Sequence, residues 1–103
     1  MVFIYTTCAT PKEAERLGEL IISQKLGACV DWWPVSSMYN WEGKLQKMSE
    51  VMIIISTLES QIETVNDLIS SEHTYSIPLI AGVDVRRINR AYKEWMTEEG
   101  VGS

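Results

Sequence analysis

The single histidine of the chain, His73, is the first residue whose chemistry needs an explanation. Its imidazole could bind copper or zinc through a ring nitrogen. It could equally lie at the end of a helix, where a partly positive ring is favourable. A Ser-His or Cys-His catalytic arrangement could use only this histidine, and no motif places a nucleophile beside it. The sequence therefore predicts a protein that is not an enzyme.

The two cysteines, Cys8 and Cys29, form no Cys-x-x-Cys motif, and their spacing requires no disulfide. The N-terminus also lacks a basic signal-peptide region, so a reducing, cytoplasmic compartment is the simplest prediction. Cys29 lies between Ala28 and Val30. In that setting a small buried core residue is a more common role than a metal or redox role, and both interpretations stay open.

Aromatic residues concentrate around the stretch MYNWEGK, residues 38–44. The Glu42-Gly43 pair predicts a tight turn, and Tyr39 and Trp41 share one strand face by the period of two. This face could pack against a neighbouring subunit. It could also form, between subunits, the aromatic wall of a site for a small anion or metabolite. The residues predicted to line that inter-subunit cleft are Tyr39, Trp41, Lys44, Tyr75 and Trp95.

Long aromatic edge strands are poorly tolerated on the surface of a monomer. The sequence therefore predicts an oligomer, with an interface formed by Trp32, Trp33, Met38 and Trp41. The carboxylates around the hairpin and the start of the second helix, Glu42, Glu50 and Glu59, are interpreted as solvated surface charges.

The elements that must position these residues follow the order β-α-β-β-α-β, with a short terminal helix. Apolar periodicity predicts strands at 2–7, 28–38, a run ending at Thr57, and 77–85. The first helix is expected to begin at Thr10-Pro11 with a capping box to Glu13, and to end at Gly27. Thr57 is expected to cap the second helix. A third helix is predicted at 89–98, with Tyr92, Trp95 and Met96 facing inward.

This order predicts an α+β, ferredoxin-like βαββαβ antiparallel sheet with helices on one face. Right-handed crossovers place strands one and three in the centre. The proline-containing strands two and four then become edges, where Pro34 and Pro78 are tolerated. The whole chain, 1–103, is predicted to be a single domain with a frayed tail at about residues 99–103.

The overall charge and hydropathy exclude two classes of partner. The formal net charge is −5, with no long basic run, so nucleic-acid binding is not expected. No apolar run approaches the ~20 residues that span a bilayer, so direct membrane insertion is not expected.

Several segments carry a family resemblance over essentially residues 2–98. In order they are EAERLGELIISQKLGACV, SMYNWEGKLQ, VMIIISTLES, HTYSIPLI and AYKEWM. Together they resemble the CutA family, the divalent-cation-tolerance proteins. Other families of this fold fit less well, because a copper chaperone would need Cys-x-x-Cys after strand one. Likewise, an acylphosphatase would need an Arg phosphate cradle there, and a nucleotide-binding PII protein would need a glycine-rich phosphate loop.

The resemblance implies a PII-related protomer assembled as a homotrimer. It also implies a link to copper and other divalent ions, no established reaction and no obligatory cofactor. By the same resemblance His73, Cys29 and Glu72 are the candidate metal ligands. Bacterial relatives with a copper site carry a second histidine where this chain has Glu72, and a cysteine where it has Thr6.

Three functions follow from these patterns. The first is a homotrimer that binds copper or other divalent ions weakly, in response to metal, without catalysis. The second is a PII-like sensor that binds a metabolite between subunits. The third is a structural trimer that docks a partner.

Overall fold

The computed structural model describes residues 1–102 of the chain. The elements are β1 Val2–Cys8, α1 Pro11–Ser23, β2 Cys29–Trp41, β3 Lys44–Thr57, a 3₁₀ turn Glu59–Gln61, α2 Ile62–Glu72, β4 Ala81–Asp84 and α3 Arg90–Glu98. The strands form one sheet in the order β2-β3-β1-β4, and every pair is antiparallel. The predicted α+β ferredoxin-like fold is confirmed, with β1 and β3 in the centre.

The core lies between α1, α2 and one face of the two central strands. Alternate residues of β1 and β3 point to this face, since Ile4 pairs with Ile55 and Thr6 pairs with Ile53. Burial of these aliphatic side chains supplies the main stabilising free energy. The core residues are Val2, Ile4, Cys8, Ala14, Leu17, Ile21, Leu26, Val51, Ile53, Ile55, Val65 and Ile69.

The first helix begins as predicted but ends differently. The Thr10 side chain accepts a hydrogen bond from the Glu13 backbone N–H at 3.2 Å, and Pro11 occupies the first turn. At the other end Lys25, not Gly27, has the left-handed φ of 58°. Lys25 N donates to Ile22 O and Leu26 N to Ile21 O, each at 3.0 Å, as in a Schellman motif. The prediction that Gly27 terminates the helix through a positive φ is wrong.

Gly27 is needed for packing instead. It is buried, and a Cβ built there would lie 2.9 Å from Ile55 Cγ2 and 3.0 Å from Ile21 Cγ2. Distances that short leave no room for a side chain between α1 and β3.

The second helix begins later than predicted. Thr57 ends β3, and its hydroxyl donates to the Leu26 carbonyl instead of capping a helix. The 3₁₀ turn follows, and α2 then starts after Gln61, whose side chain makes no capping bond. The predicted Thr57 cap is therefore wrong, because a buried hydroxyl at this position serves the connection that follows α1.

The last strand is shorter than predicted, since β4 spans only Ala81–Asp84. Residues 77–80 are not strand. Pro78 has no N–H for a ladder and restricts the residue before it, so pairing begins only beyond it. This leaves residues 73–80 as an irregular segment beside the end of β1.

The end of the chain is packed up to Gly102. Met96 of α3 is fully buried and Val101 is 8% exposed. Gly102 N donates to the Lys25 carbonyl at 2.9 Å. The expected frayed tail is therefore wrong for the described residues, and Ser103 lies outside them. Trp95 was predicted to face inward, but it is 38% exposed.

The hairpin of β2 and β3 extends far beyond the rest of the sheet. Pairing of β1 stops at Cys8–Val51, whereas β2 and β3 stay paired as far as Trp41–Lys44. The predicted turn is confirmed, with φ of 51° at Glu42 and 77° at Gly43. We call residues 35–50 the hairpin arm. The arm accounts for the elongated shape, 46 Å along its longest axis.

Within residues 1–102, no helix combines the length and the hydropathy needed to cross a membrane.

Candidate functional site

A cleft of about 500 Å³ lies where the hairpin arm meets the irregular segment after α2. Its volume is in the range of small-molecule sites. The cleft is lined by Thr7, Tyr39, Trp41, Gln46, Glu50, Tyr75, Ser76, Ile77 and Leu79. We call this feature the arm cleft.

His73 positions one wall of the arm cleft through both of its ring nitrogens. Nδ1 accepts a hydrogen bond from the Tyr75 backbone N–H at 2.9 Å, so the proton of the neutral ring lies on Nε2. Nε2 is 2.6 Å from the Thr7 carbonyl, to which it donates. The ring also contacts Tyr75, with centroids 4.8 Å apart and planes tilted by 48°. His73 thus ties the segment after α2 to the end of β1.

Glu50 forms the polar floor of the cleft with Tyr75. The Tyr75 hydroxyl donates to Glu50 Oε2 at 2.8 Å, and Glu50 is only 7% exposed. Burial and the neighbouring Glu50 carboxylate raise the pKa of Tyr75, because both disfavour a phenolate. The phenol therefore stays a donor. The interpretation of Glu50 as a solvated charge is wrong, since the residues after α2 cover it.

A second buried carboxylate, Glu13, holds the same segment from the α1 side. Thr74 Oγ1 lies 2.9 and 2.8 Å from the two carboxylate oxygens of Glu13, which is 8% exposed. The Glu13 side chain is therefore directed at Thr74 and does not complete the predicted capping box at Thr10. Three successive residues, 73–75, are each anchored to a different element.

The three candidate metal ligands do not lie together within one subunit. Glu72 is paired with Arg16, which donates to Glu72 Oε2 at 2.9 Å and to its carbonyl at 2.6 Å. Cys29 pairs with Ser56, which is four residues along β3 from Met52, the partner of Thr7. Four residues of strand correspond to about 13 Å. His73 bonds Thr7, so Cys29 is remote from it.

The two cysteine thiols are also poor ligands in these surroundings. Burial and the nearby Asp31 carboxylate raise the pKa of Cys29. Burial, with the charges of Glu13 and Glu50, raises the pKa of Cys8 to about 11. Both effects favour the thiol over the metal-binding thiolate. Among residues 1–102 no group of three or more His, Cys, Asp or Glu side chains is placed to hold a metal ion. One subunit alone therefore does not fit a divalent cation.

The five residues predicted to line an inter-subunit cleft lie in different places within one subunit, and the inter-subunit cleft itself stays a prediction. Tyr39, Trp41 and Tyr75 all line the arm cleft. Lys44 pairs with Trp41 across the hairpin but is exposed and lies outside the lining. Trp95 is on α3, where it contacts Tyr92 with ring centroids 5.3 Å apart, and it does not reach the cleft.

The four residues predicted at a subunit interface are all exposed in the single chain. The exposed fractions are 42% for Trp32, 42% for Trp33, 66% for Met38 and 47% for Trp41. Their burial by another subunit stays a prediction.

Sequence reasoning missed the polar lining of the cleft, chiefly Glu50, Gln46 and Thr7. One signal could have found Gln46, because a two-residue turn at Glu42-Gly43 places it opposite Tyr39. The period of two then puts Glu50 on the same face. Only the course of the chain after α2 brings Tyr75 to Glu50, and no local pattern encodes that.

Comparison with known proteins agrees with this architecture. The family model described as CutA1 divalent ion tolerance protein matches residues 2–99. A divalent-cation tolerance protein CutA from Archaeoglobus fulgidus is 32% identical over 96 residues, covering 93% of this chain and 94% of that protein. The chloroplastic CutA 1 of Oryza sativa is 34% identical over 92% of this chain, which spans only 54% of that longer protein.

Solved structures give the same result for the fold. The periplasmic divalent cation tolerance protein CutA from A. fulgidus superposes with a TM-score of 0.93 at 32% identity, covering 96% of this chain and 98% of that one. CutA1 from Pyrococcus horikoshii gives a TM-score of 0.93 at 31% identity, covering 96% and 97% of the two chains. The chain therefore belongs to the CutA1 divalent ion tolerance family.

Proposed function

We propose that this protein acts as a non-catalytic homotrimer in tolerance of divalent cations. The family it belongs to supports the link to divalent cations. The observation that carries the assembly is the hairpin arm, whose apolar side chains are left uncovered by the described chain. Met38 is 66% exposed and Leu45 is 59% exposed on this arm. A two-stranded ribbon of this kind is marginal in water by itself, so a second subunit is needed to cover it.

Sedimentation equilibrium tests the assembly directly. We expect a species of three times the 11.7 kDa chain mass at micromolar protein concentration. A monomer at this concentration would overturn the assembly part of the proposal.

The absence of catalysis is supported by the contacts of His73. Its two nitrogens bond backbone groups of Thr7 and Tyr75, so the ring has no side-chain nucleophile to activate. The Cys8 thiol points to the Thr10 carbonyl at 3.3 Å and has a pKa of about 11, which leaves it protonated at neutral pH.

Metal binding is proposed to be weak and to use groups that assembly brings together. Of the three candidates His73, Cys29 and Glu72, His73 already bonds backbone groups through both ring nitrogens. The proposed ligands are therefore Cys29 and Glu72, supplied by different subunits. Equilibrium dialysis with Cu²⁺ and Zn²⁺ tests this, with wild type beside His73→Ala. We expect wild type to bind copper and the variant to retain that binding, because both ring nitrogens are already used. Loss of binding in His73→Ala would make His73 a ligand, and no binding by wild type would remove metal from the proposal.

A second candidate function is a sensor that binds a small ligand in the arm cleft. The supporting observation is that Tyr39, Trp41 and Tyr75 meet around one buried carboxylate in a volume of about 500 Å³. A thermal-shift screen with carboxylic, amine and nucleotide compounds tests it. A shift in melting temperature that Trp41→Leu abolishes would support this function, and a uniformly flat screen would count against it.

We propose that the protein acts in the cytoplasm, binds no nucleic acid and inserts no segment into a membrane. Cys8 and Cys29 are unpaired, and they lie on opposite faces of the sheet, as the registers of β1 and β2 on β3 require. The net charge of −5 supports the exclusion of nucleic acid. Fractionation of cells that produce the full chain, with the protein recovered outside the cytosol, would contradict the compartment.

A further inference from the structure

The arm cleft has an acidic inner end and no basic lining residue. Its lining includes one carboxylate, Glu50, and no lysine, arginine or histidine. This composition is opposite to the small-anion site that the sequence suggested. An anion entering the cleft would meet Glu50 without a compensating positive charge, which costs free energy in a partly desolvated site.

The lysine expected to bind an anion is at the other end of the arm. Lys44 is six residues from Glu50 along β3, which corresponds to about 20 Å of strand. Its side chain is exposed and does not line the cleft. Lys44 therefore does not neutralise the inner end, where Glu50 and Tyr75 meet.

One oxygen of Glu50 is available for a ligand. Oε2 accepts the Tyr75 hydroxyl at 2.8 Å, and Oε1 accepts no hydrogen bond from residues 1–102. No fully enclosed side-chain oxygen in that range lacks a partner, so Oε1 keeps contact with solvent. The bond from Tyr75 holds the carboxylate in place, leaving Oε1 to accept from an N–H of a bound cation.

The rest of the lining suits the apolar body of such a cation. Tyr39, Trp41 and Tyr75 supply aromatic rings, and Ile77 and Leu79 supply aliphatic surface. Aromatic faces attract cations with about 0.5–2 kcal/mol, depending on desolvation. A carboxylate bonded by Tyr75 at the inner end of an aromatic cleft favours a positive, partly apolar molecule over a neutral or negative one.

We propose that the arm cleft binds a small organic cation, a protonated amine with a compact apolar body. The ammonium group lies at Glu50 Oε1, and the apolar body lies against Tyr75, whose hydroxyl bonds the same carboxylate. This inference rests on the second candidate function, that the cleft takes a small ligand, and it specifies the charge of that ligand.

Three probes that share one apolar group test the charge: tert-butylammonium, tert-butanol and pivalate. Each is titrated into the full-length protein at neutral pH and constant ionic strength, and the ring resonances of Tyr75 are followed by NMR. We expect tert-butylammonium to bind at least about fivefold more tightly than tert-butanol. Pivalate should bind most weakly. This ranking uses wild type only, so it does not depend on any variant folding.

The carboxylate itself is tested with Glu50→Gln. The amide keeps an acceptor for the Tyr75 hydroxyl while removing the charge. We expect the preference for the cation over the alcohol to fall to within about twofold. Glu63→Gln removes the same charge from an exposed position on α2 and should leave the preference unchanged. A preference retained in Glu50→Gln would overturn the role of Glu50.

The remaining outcomes distinguish failure of the cationic-ligand proposal from failure of the second candidate function, that the cleft binds a small ligand. Equal binding of the ammonium and the alcohol, or a preference for pivalate, would overturn the cationic ligand while leaving a ligand-binding cleft. If no probe shifts the Tyr75 ring resonances, and no other compound shows cleft-dependent binding, the second candidate function itself is wrong.

Discussion

At the scale of single residues, the only histidine of the chain is a positioning residue in this fold. In a chain that also contains two cysteines and several carboxylates, a single histidine suggests a metal ligand. In the structure, however, its nitrogens bond the Thr7 carbonyl and the Tyr75 N–H. Its effect on the arm cleft is indirect, because it fixes the backbone that carries Tyr75 to Glu50.

Replacing Tyr75 by Phe tests the bond between Tyr75 and Glu50. The variant leaves Glu50, which is 7% exposed, without its hydrogen-bond donor. We expect the free energy of unfolding to fall by about 1–2 kcal/mol. The measurement is chemical denaturation at neutral pH. Tyr5→Phe is the matched control, since the Tyr5 hydroxyl makes no hydrogen bond to residues 1–102, and an equal loss in both variants would contradict the assignment.

Stability at alkaline pH tests the burial of the Cys8 thiol. Its pKa is raised from 9.0 to about 11 in the folded state, so the folded protein holds its proton more tightly than the unfolded chain does. The resulting stabilisation is fully present below pH 9 and is lost as the pH rises towards 11. Over that window we expect wild type to lose about 2 kcal/mol more stability than Cys8→Ala. Parallel pH profiles for the two proteins would contradict this expectation.

At the scale of elements, the hairpin arm and the segment after α2 define the cleft together. The arm is regular, and its register follows from the Glu42-Gly43 turn. The segment is irregular because Pro78 delays β4. The cleft lies between this regular ribbon and the irregular segment, which is held in place by the bonds of His73, Thr74 and Tyr75.

The contact between the end of α1 and β3 can be tested with Gly27→Ala. The added Cβ would lie 2.9 Å from Ile55 Cγ2 and 3.0 Å from Ile21 Cγ2. We expect a loss of about 1–3 kcal/mol by overpacking, measured by chemical denaturation. Gly82→Ala is the control, because nothing lies within 4 Å of a Cβ at that position in β4. A Gly27→Ala variant as stable as wild type would contradict this expectation, because Ile21 and Ile55 would then accommodate the added methyl group without cost.

At the scale of the whole molecule, the uncovered arm is the main argument for assembly. A chain of 103 residues has a limited core, and here the most exposed aromatic residue, Trp41, and the most exposed methionine, Met38, both lie on the hairpin arm. Association of subunits would bury that surface and add stability that depends on protein concentration.

Met38→Lys tests whether the arm mediates assembly. Met38 is 66% exposed in one chain, so the substitution should cost little in the fold of a single subunit. At an interface it would place a charge in an apolar contact, and we expect the dissociation constant of the oligomer to rise by at least about tenfold. Sedimentation velocity over a dilution series measures this. Asn66→Lys, on the exposed surface of α2, adds the same charge and should leave assembly unchanged. Equal assembly of both variants would exclude Met38 from the interface.

The sequence by itself determined the order of the elements, the two central strands, the start of α1 and the turn at Glu42-Gly43. These features depend on local apolar periodicity and on the conformational preferences of residues close in sequence. It also determined the family. Tertiary structure alone decided that Glu50 is buried, that His73 bonds backbone groups, and that Lys25 and not Gly27 takes the left-handed conformation. The first two depend on contacts between residues distant in sequence. The third depends on the packing of Gly27 against Ile55 of β3, which a local helix-end pattern does not encode. Periodicity carries no information about such contacts, which is why the acidic, aromatic character of the arm cleft became evident only in three dimensions.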